Sequence, residues 1–559
     1  MSNEEEAATS DTDHSMIDSY HLTMTEHELT ECDCQPLHLL GHLQGGAGHV
    51  IFFLRKNFRV VAVDQQILNV PWIRSSDSVD EPRHLLGKAL VECFLSEHIK
   101  VEEDEEETTL PVAIAKGMQE SSEAQLDRTC LFLHARNPED MSSTYWSLSI
   151  CCTTEDENEE SVYCMEIEAI PQDHENNEGE EDPQFQNTLV RLGKLMHSAE
   201  RQSITDLCVS ACNEVYELFK GKYNRGMVYE FQDDLSGKVV HEVKTPDLPS
   251  SYLGLRFPAA DIPKPARDLF FKNGLRYNYN IEETDNPILS ISAQPLDLTQ
   301  VRMRAIHKPH IIYLRNMGVI SSLAVAVKVQ GTLWGLLTFH RYSKTPFKPN
   351  LHQRMACETI ASMLSTRMER INMEAMAERS QALNEVLTKW DKSAGVLVNM
   401  KELGEQVKAV CDADCVTVRV EEGADGPTQW NAGDHTLVPS PAGWKHLADL
   451  SVKDSATELI TRQTRAGVLQ MGFAAPEDCP AAGFCYFSHG GVQVFLGRAL
   501  RSADVVWAGD PDLPKLRIGG ILNPRASFEQ FMEKARQESR RWSKGDLLVI
   551  NLLRLHISG

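Results

Sequence analysis

The sequence predicts an α+β protein of three successive domains with antiparallel sheets and a long connecting helix. Three observations predict this. The 559 residues fill roughly three or four domains at ~150 residues each. Short apolar runs of strand length alternate with helix-period segments along most of the chain. Residues 351–390 contain no Gly or Pro and carry an apolar stripe of Met355, Ile360, Met363, Leu364, Met368, Ile371, Leu383 and Leu387. At 1.5 Å rise per residue that stripe spans ~60 Å, more than one domain needs. The competing reading is a kinked pair of helices broken near Ala375–Ala377.

Residues 1–27 read as a disordered acidic tail. The first domain, 28–183, alternates strands such as "HVIFFLRKNFRVVAVD" (49–64) and "YWSLSICCT" (145–153) with a helix-like "EPRHLLGKALVECFLSEHI" (81–99). The second, 184–372, opens with helix-period apolar residues over 185–221. It continues with the strand "RGMVYEF" (225–231) and a strand pair over 321–342, turning near Gln330–Gly331. The third, 373–559, contains a Gly-, Ala- and Pro-rich stretch at 471–510 and closes on a helical stretch over 527–558.

The formal charge of −26 excludes a general binder of nucleic acid or anionic membrane, since phosphate needs a positive surface. Much of the acidity sits in "VEEDEEETT" (101–109), "TEDENEES" (154–161) and "ENNEGEEDP" (175–183), which read as solvated insertions. No signal peptide and no ~18-residue apolar span is visible. The 14 cysteines follow no disulfide framework, so a soluble, cytoplasmic protein is expected.

Three stretches could carry chemistry. Cys32, Cys34 and His38 lie in "LTECDCQPLHLLGHLQ" (29–44). C-x-C is off the usual zinc spacing and no second pair is near, so no metal site is expected; ordinary cysteines or one reactive thiol stay open. Asp261 lies between Pro258 and Pro263, on a stiff loop or at a helix start. Arg304, His307, His310, Tyr313, Arg315 and Asn316 fall within 302–322. Together they suit an anionic, conjugated ligand, with Arg for carboxylates and His for polar ring atoms.

"LRFPAADIP" (255–263), "HIIYLRNMGV" (310–319), "GTLWGLLTFH" (331–340) and "LNPRASFEQF" (522–531), in this order, resemble the PAS–GAF–PHY photosensory module of bacteriophytochrome-like phytochromes. The resemblance covers nearly the whole chain after residue 28. It implies a PAS domain at 28–183, a GAF domain at 184–372, a PHY domain at 373–559 with a tongue at about 471–510, and a knotted PAS–GAF junction.

It further implies covalent biliverdin. Proline at 309 removes the GAF attachment thiol, and Cys32, four residues before the Pro of "PLHLLG" (36–41), becomes the thioether nucleophile, with Cys34 its neighbour. Asp261 and His310 match the pair beside the pyrrole nitrogens. Arg276 and Arg304 match the propionate partners, with Ser322 as a further donor; Ala324 stands where a second Ser is common. Met227, Tyr229, Phe257, Tyr313 and Met317 match the surroundings of the terminal ring, and His340 the donor to its carbonyl. Arg525, Ser527 and Trp507 match signalling positions of the tongue and PHY signature.

The expected function is red/far-red light sensing by a homodimer. The output domain, a histidine kinase acting on a two-component partner, is not visible in the sequence; this chain is not expected to be an enzyme. The rivals are a light-independent PAS/GAF sensor of haem or a cyclic nucleotide, and a dimerisation scaffold.

Overall fold

The computed structural model describes residues 36–73, 81–95, 99–101, 110–123, 128–136, 143–154, 161–170, 190, 193, 203–219, 221–232, 234–421, 427–453, 459–462, 465–511, 517–518, 521–522, 527–540 and 542–558. Cys32, Cys34, Arg525, the acidic tail and most of the three acidic blocks lie outside the described residues.

The first domain is built on an antiparallel sheet of His49–Leu54, Val60–Asp64, Arg128–Arg136, Ser143–Thr154 and Val162–Ile170. The helix expected over 81–99 is not one helix. It is two short turns, Pro82–Leu85 and Leu90–Cys93, followed by the strand Ile99–Val101. Gly87 between the turns has φ 81°, outside helical space, and the turns bury Leu85, Leu90 and Cys93.

One edge of this sheet comes from the second domain. Asn286–Ser290 pairs with Val60–Asp64, and His42–Leu43 pairs with Asn286–Ser290 in turn. The segment after Pro36 lies against the second domain throughout. Leu298 N donates to His38 O (2.9 Å), Ala305 N to His42 O (2.8 Å) and Gln44 N to Met303 O (2.9 Å). The Gln44 side chain adds bonds to Tyr277 O (3.0 Å) and from Tyr279 N (2.8 Å). The N-terminal segment and the second domain are thus joined by main-chain and side-chain hydrogen bonds.

The second sheet runs Leu275–Asn278, Ser321–Val329, Thr332–Arg341, Arg225–Phe231, Gly237–Lys244 and Arg256–Phe257. The expected hairpin is present, and Gln330 (φ 52°) and Gly331 (φ 74°) form its two-residue turn. Side chains alternate across a strand. Leu275, Leu323, Val325, Leu337 and Phe339 therefore pack on one face with Cys208 and Val215 of the helix Ile204–Leu218 and with Ile360 and Leu364. Arg276, Ser322, Thr338 and His340 fall on the other face.

The connecting helix is continuous from Leu351 to Leu387, with no break at Ala375–Ala377. Asn350 and Gln353 form a reciprocal capping box at its start (2.8 and 3.0 Å). Its early turns join the second core and its late residues Leu383 and Val386 the third. Arg354, 1% exposed, is clamped to Glu168 of the first domain, which Lys348 also reaches at 3.2 Å. Among the described residues no helix is long and apolar enough to cross a membrane.

The third domain differs from expectation in two ways. The Gly-rich stretch 471–510 is not an extension as a whole. Gly483–His489 and Val492–Arg498 are central strands of a five-stranded sheet, with Cys415–Val420 beside them. The closing helix covers only Lys544–Ser558, because Gln530–Ser539 is a strand paired with Leu500–Ala508. Its Glu, Lys, Ala, Arg and Gln residues favour a helix, and tertiary pairing overrides that weak preference. This hairpin is what reaches back: Trp507 pairs with Arg256, so the second sheet continues into the third domain.

Burial works to raise the Glu168 carboxyl, but Arg354 and Lys348 hold it below the usual range. Removing one partner of a buried pair strands the other, at ~3–5 kcal/mol. Glu168→Gln should therefore destabilise the protein by about that amount in denaturant melts. Arg354→Met should cost less, because Lys348 stays with Glu168. Equal losses would contradict this clamp.

Candidate functional site

A cavity of about 240 Å³ opens on the second sheet's outer face, large against the ~10–15 Å³ that holds one water on the same measure. Strand alternation places Arg276, Asn278, Ser322, Ala324, Thr338 and His340 in its wall. The helix Lys308–Asn316 adds Pro309, His310 and Tyr313, and the turn Ala259–Asp261 adds Asp261. Leu37 and Leu40 close it from the N-terminal segment.

Two guanidiniums dominate its electrostatics. Arg276 donates to the carbonyls of Arg302 (3.2 Å) and Ala305 (3.0 Å), and Arg304 to that of Val301 (3.1 Å). Among the described residues neither forms an ion pair. Burial, then the neighbouring Arg304, pushes Arg276 well below the usual guanidinium range. Burial pushes Arg304 down to about 10. Two desolvated cations facing one cavity are costly until an anion joins them.

The imidazoles are held neutral. Burial first, then Arg276 and His307, pushes His310 down to about 4; burial, then Arg225 and His310, pushes His340 to about 3. His310 lines the cavity and retains exposed surface, so the depression rests more firmly on the half-buried His340. Asn278 Nδ2 lies 2.8 Å from Ser322 Oγ and 3.4 Å from His310 Nε2. Asn278 Oδ1, Thr338 Oγ1 and His340 Nδ1 are buried without a hydrogen-bond partner. The wall thus suits a ligand with carboxylates, polar ring atoms and a large apolar body.

Asp261 accepts a 2.9 Å bond from the Tyr313 hydroxyl, and Tyr313 meets Phe528 edge-on at 5.3 Å. Met227, Tyr229, Phe257 and Met317 do not line the cavity. They form a buried cluster that adjoins the wall, sharing Leu314 and Leu336 with it. Ala508 of the hairpin enters that cluster. Trp507, 2% exposed, donates to Glu533 (2.8 Å) and lies under Arg536 (5.0 Å), which reaches Asp234 at 3.0 Å. Ser527 is exposed. Cys32 and Arg525 lie outside the described residues. Among the described residues no group of three or more metal-ligating side chains occurs.

His307, one of the residues singled out within 302–322, lines the wall, and Asn278 and Thr338 belong to it without having been singled out. Counting by two from Arg276 gives Asn278, and from His340 gives Thr338; strand periodicity alone would have found both.

Comparison with known proteins agrees with this geometry. The family model described as the phytochrome region matches residues 379–559, and the GAF domain model matches 203–368. A bacteriophytochrome of Xanthomonas campestris pv. campestris is 28% identical over 392 residues, 66% of this chain and 60% of that protein. The chain belongs to the phytochrome family. Phytochrome E of Arabidopsis thaliana is 30% identical over 396 residues, 66% of this chain and 33% of that phytochrome. The chain therefore spans a third to three-fifths of these relatives' length. The photosensory core module of the Stigmatella aurantiaca phytochrome shares the fold at 21% identity, TM-score 0.70, over 95% of this chain and 98% of that one. The bacteriophytochrome RpBphP3 from R. palustris does so at 21% and 0.69, with the same coverage. The three domains are the PAS–GAF–PHY array of a phytochrome photosensory module.

The depressed imidazole of His340 predicts a pH effect in the ligand-free phytochrome. An unfolded histidine takes up a proton near pH 6.5, while folded His340 stays neutral down to about 3. Stability present above pH 6.5 is therefore lost as pH falls toward 3. His340→Gln should flatten the fall in melting temperature between pH 6.5 and 4 relative to the parent. Parallel profiles would show that His340 does not titrate this way.

Proposed function

We propose that this phytochrome is a red/far-red light sensor holding biliverdin as a thioether of Cys32. The pair Arg276 and Arg304, desolvated and without an ion pair among the described residues, carries the reading. A dicarboxylate ligand would meet both cations. The remainder of the wall fits the same molecule: apolar Leu37, Leu40 and Leu336, and neutral His310 and His340. No cysteine lines the cavity among the described residues, and Pro309 stands beside His310. The nucleophile then comes from outside, and Leu37, already in the wall, is five residues from Cys32. Five residues reach at most about 17 Å.

When bound, the bilin supplies light-driven isomerisation of the double bond joining its last two rings. The chain's own residues do the rest. Arg276 and Arg304 bind and orient the carboxylates, with Ser322. His340 would donate toward the terminal ring's carbonyl, and His310 and Asp261 would serve the pyrrole nitrogens. Asp261, held by Tyr313, exchanges partners on the tongue, Arg525 being the partner in one photostate. The hairpin Leu500–Ala508 with Gln530–Ser539 is that tongue. The helix-forming composition of Gln530–Ser539, here a strand, supports refolding between strand and helix. The homodimer and the kinase output with its two-component partner belong to this reading and rest on the family alone.

Co-expression with a source of biliverdin should give a coloured protein whose red absorption moves reversibly to the far red under red light. A colourless protein would contradict the reading. Cys32→Ala should abolish zinc-induced fluorescence of the denatured band, and Cys34→Ala should keep it. The reverse outcome would assign the attachment to Cys34.

A further inference from the structure

The cavity face of the second sheet is organised in cross-strand rows. Asn278, Ser322 and His340 form one, with Asn278 paired to Ser322 and Ser322 to His340. Arg276, Ala324 and Thr338 form the next. The first row is stitched by the 2.8 Å bond between Asn278 and Ser322. The second has no such bond, although Thr338 Oγ1 is buried and unpartnered. Its direct neighbours across the sheet, Ala324 and Met227, offer no polar side chain. A sequestered hydroxyl without an acceptor is destabilising, and nothing in its row relieves it.

Thr338 nevertheless lines the cavity. Its hydroxyl oxygen is itself enclosed. A threonine on a strand exchanges methyl and hydroxyl by rotating one bond through about 120°. That rotation would turn the hydroxyl into the cavity, on the row that ends in the Arg276 guanidinium.

We propose that Thr338 is a ligand-positioning residue, its hydroxyl donating to the ligand carboxylate that Arg276 pairs with. The ligand is the bilin of the preceding reading, and the assignment rests on it. The hydroxyl then gains an acceptor. The carboxylate is fixed by a charge-assisted bond as well as by the cation, which sets its orientation along the row.

The test uses the full chain with Cys32→Ala, so that binding is reversible, and reads dissociation constants from absorbance titrations with biliverdin and with its dimethyl ester. Thr338→Val keeps the shape and removes the hydroxyl. It should weaken biliverdin binding about tenfold, the scale of one hydrogen bond to a charged group. The same substitution should leave the ester's affinity unchanged and the ligand-free melting temperature unchanged or higher. Thr338→Ser should bind as the parent does. Adding Ala324→Ser to Thr338→Val should restore affinity, since position 324 lies directly opposite. Unchanged biliverdin affinity in Thr338→Val would overturn the assignment. An equal loss with the ester would also overturn it, moving the hydroxyl's partner to a ring atom. So would a lower ligand-free melting temperature with no rescue by serine at 324, which marks a packing role. A parent that bound neither compound would sink the bilin reading itself.

Discussion

Arg276 and Arg304 are two guanidiniums turned toward one cavity, with backbone carbonyls but no ion pair among the described residues. Taking a cation out of water is costly, and a carbonyl dipole offsets only part of that cost. The surrounding fold has to hold them there. It does so because Arg276 sits on the strand Leu275–Asn278, whose alternate residues Leu275 and Tyr277 are locked in the core. Register fixes the face, and the face fixes the charge. A strand slip of one residue would bury Arg276 in that core, so core packing and ligand chemistry are one constraint.

The same sheet connects the cavity to the rest of the molecule. On one side Tyr313 touches both Asp261 and Phe528. Beyond its edge strand, Trp507 continues the sheet into the hairpin of the third domain. The root of that hairpin is pinned by two arginines that flank its strands. Arg498 and Arg540 both reach Asp412, at 2.9 and 2.7 Å. Arg498 also binds Asp546 (3.0 Å), which Arg379 of the connecting helix holds at 2.5 Å. Arg498, Asp546 and Arg379 thus link the root of the hairpin to the connecting helix.

Much of this was legible in the sequence where period and spacing speak directly. The unbroken helix Leu351–Leu387 follows from its lack of Gly and Pro, and the hairpin turn from Gln330–Gly331. Asp261, Arg276, Arg304, His310, Tyr313, Ser322 and His340 do meet in one wall. What was not legible depended on partners distant in sequence. The segment Gln530–Ser539 reads as helix because only its pairing with Leu500–Ala508 makes it a strand. The stretch 471–510 reads as irregular because Gly483 and the turn at Gly490–Gly491 mask two strands that the third sheet completes. Met227, Tyr229, Phe257 and Met317, expected around the ligand, pack in an adjoining buried cluster outside the cavity's lining. Sequence shows which face a residue takes, and not how far along that face the cavity extends.

The charge at position 276 is the most direct point of attack. If the guanidinium is held at a cost that only an anionic ligand offsets, then Arg276→Met should have opposite effects on the two states. The melting temperature of the ligand-free protein should stay level or rise, because an apolar side chain replaces a desolvated cation. The rise in melting temperature on adding biliverdin should shrink. A variant that melts lower without ligand, yet gains as much from biliverdin as the parent, would contradict the account.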